Sequence, residues 1–301
     1  MPPQTDNKFE RARMQIQEDS FPGLYQSADK ASLESQNKYY LCLSFYLGLL
    51  VIAAAVSFFV PVKTYGALVS ALLFLVTLGI LIYLKTNKPD DIWYNGRAVA
   101  ESVKTLSWKW MMKAEPFHED NSAEADFIAD LKKVLKQNQS LSTVLNSSEG
   151  AKEPITKVMR SIRSQSFDDR KTLYKNQRID DQADWYTKKA IFNRKRASNW
   201  FWISVLLHGA AIIMLVYRVY DPSQSLPVEV IATAASAVLT WIQAKKHNEL
   251  SSSYSLAAHE IGFIKSEWQS VTESDFSDFI INTENAFSRE HTQWIARKVD
   301  A

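Results

Sequence analysis

Hydrophobic positions in this chain are gathered into four windows rather than spread as the periodic faces of soluble helices. The first covers residues 39–60, YYLCLSFYLGLLVIAAAVSFFV, and the second 67–84, ALVSALLFLVTLGILIYL; neither holds a charge. The third covers 200–217, WFWISVLLHGAAIIMLVY, and the fourth 228–242, VEVIATAASAVLTWI, which carries one acid near its start. A bilayer core about 30 Å thick is crossed by roughly 20 apolar residues, whereas a buried core helix shows only about 10 to 14. The windows therefore predict four transmembrane helices, the fourth being the shortest. Tyr39, Tyr40, Tyr83, Trp200, Trp202, Tyr217 and Trp241 stand at the window ends, where amphipathic rings settle at a membrane interface. Composition averaged over the chain hides this pattern, since 23% charged residues and a net charge of +2 read as soluble. The first window begins at Tyr39, too far in for the apolar stretch of a cleavable leader, so all four are expected to remain in the mature protein.

Lysines and arginines near the span ends set the expected orientation. Lys30, Lys38, Lys85, Lys88, Arg97, Lys188, Lys189, Arg194, Lys195, Arg196, Lys245 and Lys246 flank the outside of two hairpins, and the hairpin loops hold only Lys63 and Arg218. This asymmetry places both termini and the middle of the chain in the cytoplasm. The predicted organisation is a cytosolic lead-in over 1–38, a first two-transmembrane hairpin with exit helix over 39–115, a cytosolic helical domain over 116–169, a second hairpin with its flanking helices over 170–270, and a cytosolic C-terminal helix over 271–301. The expected fold is an all-α membrane protein, four transmembrane helices as two tandem hairpins with long helical cytosolic extensions. The halves repeat at an offset of about 159 residues: RAVAESVKTLSWKW from Arg97 compares with LAAHEIGFIKSEW from Leu256, pairing Glu101 with Glu260 and leaving Trp108 and Trp268 one residue out of register. Each hairpin enters and leaves on one side, so the repeat is parallel.

Between the hairpins, AEADFIADLKKVLKQN from Ala123 puts Phe127, Leu131 and Leu135 at four-residue spacing, an amphipathic helix. Residues 140–150, SLSTVLNSSEG, read as a loop. No Pro or Gly occurs between Pro154 and Gly209, which predicts a helix running from the cytosolic region into the third span, with Ile155, Val158, Met159 and Ile162 on one face. The fourth span likewise lacks a breaker from Val228 to Ile261.

Catalytic patterns are sparse. His118, His208, His247, His259 and His291 have no zinc-type spacing, the single Cys42 lies inside the first span, and the eight glycines build no phosphate loop. No enzyme, cofactor or metal site is predicted. His208, inside the third span, reads either as a proton relay or as a histidine hydrogen-bonded between helices. In the fourth span Glu229, Thr233, Ser236, Thr240 and Gln243 recur at spacings of four and three, one polar helical face through an apolar helix. Such a face lines a water-filled pore, Glu229 forming a charge ring at its mouth, or it serves close helix association together with Ala232, Ala235 and Ala237. A pore reading requires a homo-oligomer of four or more subunits, because four spans in one chain enclose no wide aqueous path. From Lys152 to Arg196, thirteen Lys or Arg stand against six Asp or Glu, interleaved with Phe167, Tyr174, Trp185, Tyr186 and Phe192. Cations beside rings suit a nucleotide or oligonucleotide, with Arg160, Arg163, Arg170, Lys171, Lys175 and Arg178 as the ligand-binding set. The later cations, Lys188 to Arg196, are equally accounted for by anionic lipid headgroups.

Three strings, FPGLYQSADKASLESQNKYY, IWYNGRAVAESVKTLSWKWM and RIDDQADWYTKKAIFNRKRASNWFW, resemble the SLATT family of two-transmembrane effector domains, here as a tandem copy. The resemblance implies a multi-pass effector of the bacterial inner membrane, kept silent until a cyclic nucleotide or short oligonucleotide arrives. It then forms or opens a pore in an infected host, with a nucleotidyltransferase encoded nearby as a partner. A non-conducting scaffold that recruits a cytosolic partner is the alternative.

Overall fold

The computed structural model describes residues 16–60 and 62–299, with side chains through Ser288, so the first fifteen residues of the expected lead-in lie outside the described residues. Every described element is helical. In chain order the α-helices are α1 Gly23–Phe59, α2 Lys63–Asn87, α3 Pro89–Met111, α4 Ala123–Gln137, α5 Ser147–Gly150, α6 Lys157–Arg163, α7 Phe167–Tyr174, α8 Asp180–Tyr220, α9 Val228–Lys245, α10 His247–Glu267 and α11 Phe276–Val299. A π-helical turn, Lys175–Ile179, joins α7 to α8. Three described helical stretches, Gly23–Phe59, Lys63–Met111 and Phe167–Tyr220, are long and apolar enough to cross a membrane. The fourth window falls on α9, which has 18 residues.

Both unbroken helices read from the sequence are interrupted, for local reasons. Between Arg163 and Phe167 the chain leaves the helix because Ser166 is extended (φ −60°, ψ 161°) and its hydroxyl accepts from the Asp169 amide at 3.2 Å, an N-cap that restarts the helix as α7. From Phe167 onward the helix runs continuously to Tyr220. α9 stops at Lys246, which takes the left-handed conformation (φ 48°, ψ 39°) and donates its amide to the Ile242 carbonyl at 3.0 Å. Lys88 does the same at the end of α2, with φ 42°, ψ 53° and its amide on Leu84 O at 3.0 Å. A non-glycine residue there costs about 1–2 kcal/mol, yet both repeats use a lysine at this place, followed at once by an exit helix. The tandem repeat is therefore visible in the backbone as long helix, second helix, left-handed lysine, exit helix.

Contacts divide the chain into two compact units that cut across the repeats. One gathers the segment ending at Leu33 with Ile92–Tyr186 and the segment starting at Ala257; the other gathers Glu34–Asp91 with Thr187–Leu256. The second unit holds all four apolar windows. Within it the Ser70 hydroxyl donates to the Ala53 carbonyl at 2.9 Å, tying α2 to α1, and Ser251 donates to Ala190 O at 3.1 Å, tying α10 to α8.

The first unit is built around aromatic and methionine side chains. Trp108, Trp110, Met111, Met112, Phe117, Phe127, Met159, Ile162 and Tyr174 are fully buried. The repeat-related tryptophans Trp108 and Trp268 both contact Tyr174, at 5.4 and 6.4 Å between ring centres. Of the amphipathic face read for residues 123–137, Phe127 and Leu131 are buried and Leu135 is exposed. Ile155, Met159 and Ile162 are buried as expected. The stretch read as a loop carries a buried Leu141 and the single turn α5.

Inside this core sits an ion pair. The Glu284 carboxylate of α11 accepts from Arg178 Nε at 2.9 Å and Tyr174 Oη at 2.9 Å on one oxygen, and from Arg178 Nη2 at 2.7 Å and Thr105 Oγ1 at 3.1 Å on the other. Two donors per oxygen saturate a carboxylate. Arg178 and Glu284 are essentially inaccessible, and the guanidinium lies 4.9 Å from the Phe287 ring centre. Burial pulls the Arg178 pKa down, but the Glu284 charge and hydrogen bonds outweigh it, so the net shift is upward. Burial, then Glu284, hold the Tyr174 phenol well above its usual value, which keeps it a donor.

Two measurements check these contacts. Glu284→Gln or Arg178→Met alone should lower unfolding free energy by about 3–5 kcal/mol, since an unpaired buried charge remains, while the double variant Arg178→Met with Glu284→Met should recover most of the loss. Thermal unfolding in mild detergent reads this, and a double variant as unstable as the singles would contradict it. At the start of α1, a Cβ on Gly23 would lie 1.9 Å from the Glu149 carbonyl oxygen. Gly23→Ala should therefore destabilise by roughly 1–3 kcal/mol, whereas Gly48→Ala, with nothing within 4 Å, should leave the midpoint in place.

Candidate functional site

The polar face of α9 lies within the unit that holds the apolar windows. Glu229, Ser236, Thr240 and Gln243 are exposed and Thr233 is half-buried, while Val228 and Ala235 on the flank of that face are buried. Thr233 donates to Glu229 O at 2.8 Å and Thr240 to Ser236 O at 2.9 Å, so both hydroxyls bond back to their own helix. That arrangement lets a hydroxyl stand in an apolar setting and exchange its partner for water at little expense. Glu229 stands 3.5 Å from the Arg218 guanidinium, an ion pair between the start of α9 and the end of α8. His208 is exposed, and its Nδ1 lies 2.7 Å from Ser204 O of its own helix rather than on a neighbouring helix.

The six cations of the basic run belong to the other unit, and each has a partner within it. Arg160 pairs with Glu124 on the surface. Arg163 is buried: it donates to the Trp110 and Phe117 carbonyls at 2.6 and 2.8 Å and to Asp120 at 2.7 Å, with its guanidinium 4.9 Å from the Trp110 ring centre. It thus closes the carbonyl end of α3, where a cation also meets the negative pole of the helix. Hydrogen bonds from Lys113 and then from Arg163 hold the Asp120 carboxyl below its ordinary range. Arg170 donates to Gln165 O at 3.0 Å; burial, then the Arg163 charge, lower its pKa. Lys171 donates to Val271 O and lies 5.3 Å from the Trp268 ring centre. Lys175 meets Asp180 at 2.8 Å, and Lys265 meets the other oxygen of that carboxylate at 2.7 Å. Burial alone would raise Asp180, but the two lysines bring it below its usual value. Arg178 is the partner of Glu284 described above.

Arg163 and Arg178 thus hold the core, while Arg160, Arg170, Lys171 and Lys175 retain exposed surface. Glu284 is the residue that sequence reasoning passed over. It lies in FSDFIINTENAF, where Phe279, Ile280 and Phe287 mark a buried face that also contains position 284. An acid on an apolar face is a sign of a buried partner, and Arg178 was available in a stretch read only for surface charge. Lys104 is another such residue: burial, then the nearby Arg178 charge, lower its pKa. Among the described residues no group of three His, Cys, Asp or Glu is placed to hold a metal.

Two family models match the chain. SMODS and SLOG-associating 2TM effector domain 3 matches residues 22–171, and SMODS and SLOG-associating 2TM effector domain 1 matches residues 174–294. No curated protein and no solved structure matched. The boundary between the two matches falls at the end of α7, beside the π turn that carries Arg178. With nearly the whole chain matched and with membrane-length helices among its described elements, the chain belongs to the SLATT family, as a tandem of two-transmembrane effector domains in a membrane protein.

Proposed function

We propose that this protein is a membrane effector of anti-phage defence that assembles into an oligomeric ion channel, gated by a nucleotide-type signal from the cytosol. α9 serves as the fourth span, closing the second of two tandem hairpins, with both termini in the cytoplasm and the chain in the inner membrane. The observation that carries the reading is the polar face of α9, on which Glu229, Ser236, Thr240 and Gln243 are exposed. In a bilayer the carboxylate and the amide of such a face call for water or another polar surface, and a ring of four or more copies supplies both. Glu229 then sets a ring of negative charge at the pore mouth and favours cations. Association with SMODS and SLOG domains, from which the family takes its description, favours a nucleotide as the signal, made by a nucleotidyltransferase encoded nearby. Of the basic run, Arg160, Arg170, Lys171 and Lys175 offer surface to a phosphate, while Arg163 and Arg178 position the helices beneath them. A non-conducting scaffold is the second reading, favoured by the extent of helical surface outside the windows.

Two experiments separate these. Purified protein in liposomes should release a trapped cation when a cyclic nucleotide or short oligonucleotide is added. Ser236→Leu and Thr240→Leu should each cut that flux by roughly tenfold, because a dry apolar ring raises the barrier to ion entry; undiminished flux assigns the face to helix association instead. Binding of a labelled cyclic nucleotide should weaken about tenfold when Arg170 and Lys171 become Ala and should fall steeply with salt. Binding indifferent to both changes moves the ligand elsewhere.

A further inference from the structure

The end of the apolar windows opposite the short α1–α2 and α8–α9 links carries a cluster that pore lining and nucleotide gating leave unused. Thr187 to Trp200 of α8 holds five cations and no acid. Within this unit, α9 ends in Lys245 and its following left-handed Lys246, and α10 opens on His247. Lys245 Nζ sits 3.2 Å from the Tyr40 ring centre and 4.9 Å from that of Trp241. Trp241 in turn contacts Tyr40 at 6.0 Å and Trp200 at 6.2 Å, so α1, α8 and α9 each place one ring in a shared aromatic shelf. One turn from Trp200, the Arg196 guanidinium lies 5.3 Å from the Phe192 ring centre.

Beneath these cations the cluster is rigidly held. Asn193 is buried; its amide donates to Lys189 O at 2.8 Å, and its oxygen faces His247 Nδ1 at 2.7 Å. Burial, then Lys245, then Arg196, lower the His247 pKa, with no carboxylate among the causes. Neither Arg196 nor Lys245 has a carboxylate within ion-pair distance among the described residues. The charges of Arg196 and Lys245 are thus brought to one preformed shelf. Ile191, Phe192, Phe201 and Trp202 beside it are exposed, apolar surface that suits acyl chains and interfacial depth.

We infer that this junction is a binding site for the phosphodiester of an anionic phospholipid, held by Arg196 and Lys245 against the Tyr40, Trp200 and Trp241 shelf. The inference rests on the four-span reading, which puts Lys245 at the membrane interface, but not on ion conduction. A lipid fits better than a nucleotide because Lys245 already lies over the Tyr40 and Trp241 rings, while the exposed Ile191, Phe192, Phe201 and Trp202 offer apolar surface to acyl chains. The lipid phosphate neutralises the end of α9 and fixes the break at Lys246, so the lipid composition of the bilayer bears on the helix with the polar face.

The test uses full-length protein in neutral detergent, with native mass spectrometry and thermal unfolding as readouts. Phosphatidylglycerol should be retained over phosphatidylcholine and raise the unfolding midpoint. Arg196→Gln and Lys245→Gln should each weaken that preference roughly fivefold, and together on the order of thirtyfold. The charge-keeping pair Arg196→Lys with Lys245→Arg should preserve it, which separates loss of charge from loss of fold. Equal retention of both lipids, or a Gln double variant that binds as before, overturns the site. Glycerol phosphate competing as well as the lipid would mark a free-phosphate site, and a cyclic nucleotide competing would mark a nucleotide site; either overturns the lipid assignment. Because no flux is read, failure here and failure of the channel are seen independently.

Discussion

The Arg178–Glu284 pair is the constraint on which the unit outside the windows depends. Moving an ion pair out of water costs several kcal/mol per charge, and only near-complete hydrogen bonding offsets that. Glu284 meets the condition by accepting four bonds, and the donors come from α3, α7, the π turn and, through the acid itself, α11. Thr105 belongs to the first family match and the other three residues to the second. The carboxylate is therefore satisfied only when parts of both repeats are docked. An apolar core of the same volume would tolerate many arrangements of these helices; a carboxylate needing four named donors tolerates few.

Tyr174 and Arg178, four positions apart, share one helical face and both donate to one oxygen of Glu284. Trp108 and Trp268 close over Tyr174, so the repeat, weak as sequence, is strong as geometry. Their one-residue offset in the sequence comparison is absorbed by the different lengths of the exit segments, α3 ending at Met111 and α10 passing into a 3-10 turn at Trp268.

The membrane character was legible because an apolar window is a local property, written in consecutive residues. Helical type was legible throughout, and so was the inward face of α4 at Phe127 and Leu131. The interruptions at Ser166 and Lys246 were not, since neither Pro nor Gly marks them: one is a serine cap and the other a lysine in a conformation that lysine seldom adopts. The roles of Arg163 and Arg178 were hidden for a different reason. A cation count treats every arginine as surface, and what distinguishes these two is a partner 43 or 106 positions away. The division into units cut across the repeats for the same reason, because it is set by contacts between segments distant in the sequence.

Under the gating proposal, one helix connects the two units. α8 leaves the π turn without a break and carries the third window to Tyr220, so the segment that holds Arg178 and the third span share one backbone hydrogen-bond ladder. Inverting a two-state equilibrium from 1:99 to 99:1 requires a differential affinity of about 5.5 kcal/mol. A ligand with micromolar affinity gains about 8 kcal/mol on binding, so under the gating proposal one such ligand is sufficient if most of its affinity discriminates between the two states. A weaker ligand would need several sites acting together, which an oligomer with one site per subunit provides. Under the gating proposal, assembly and signal are therefore expected to be coupled.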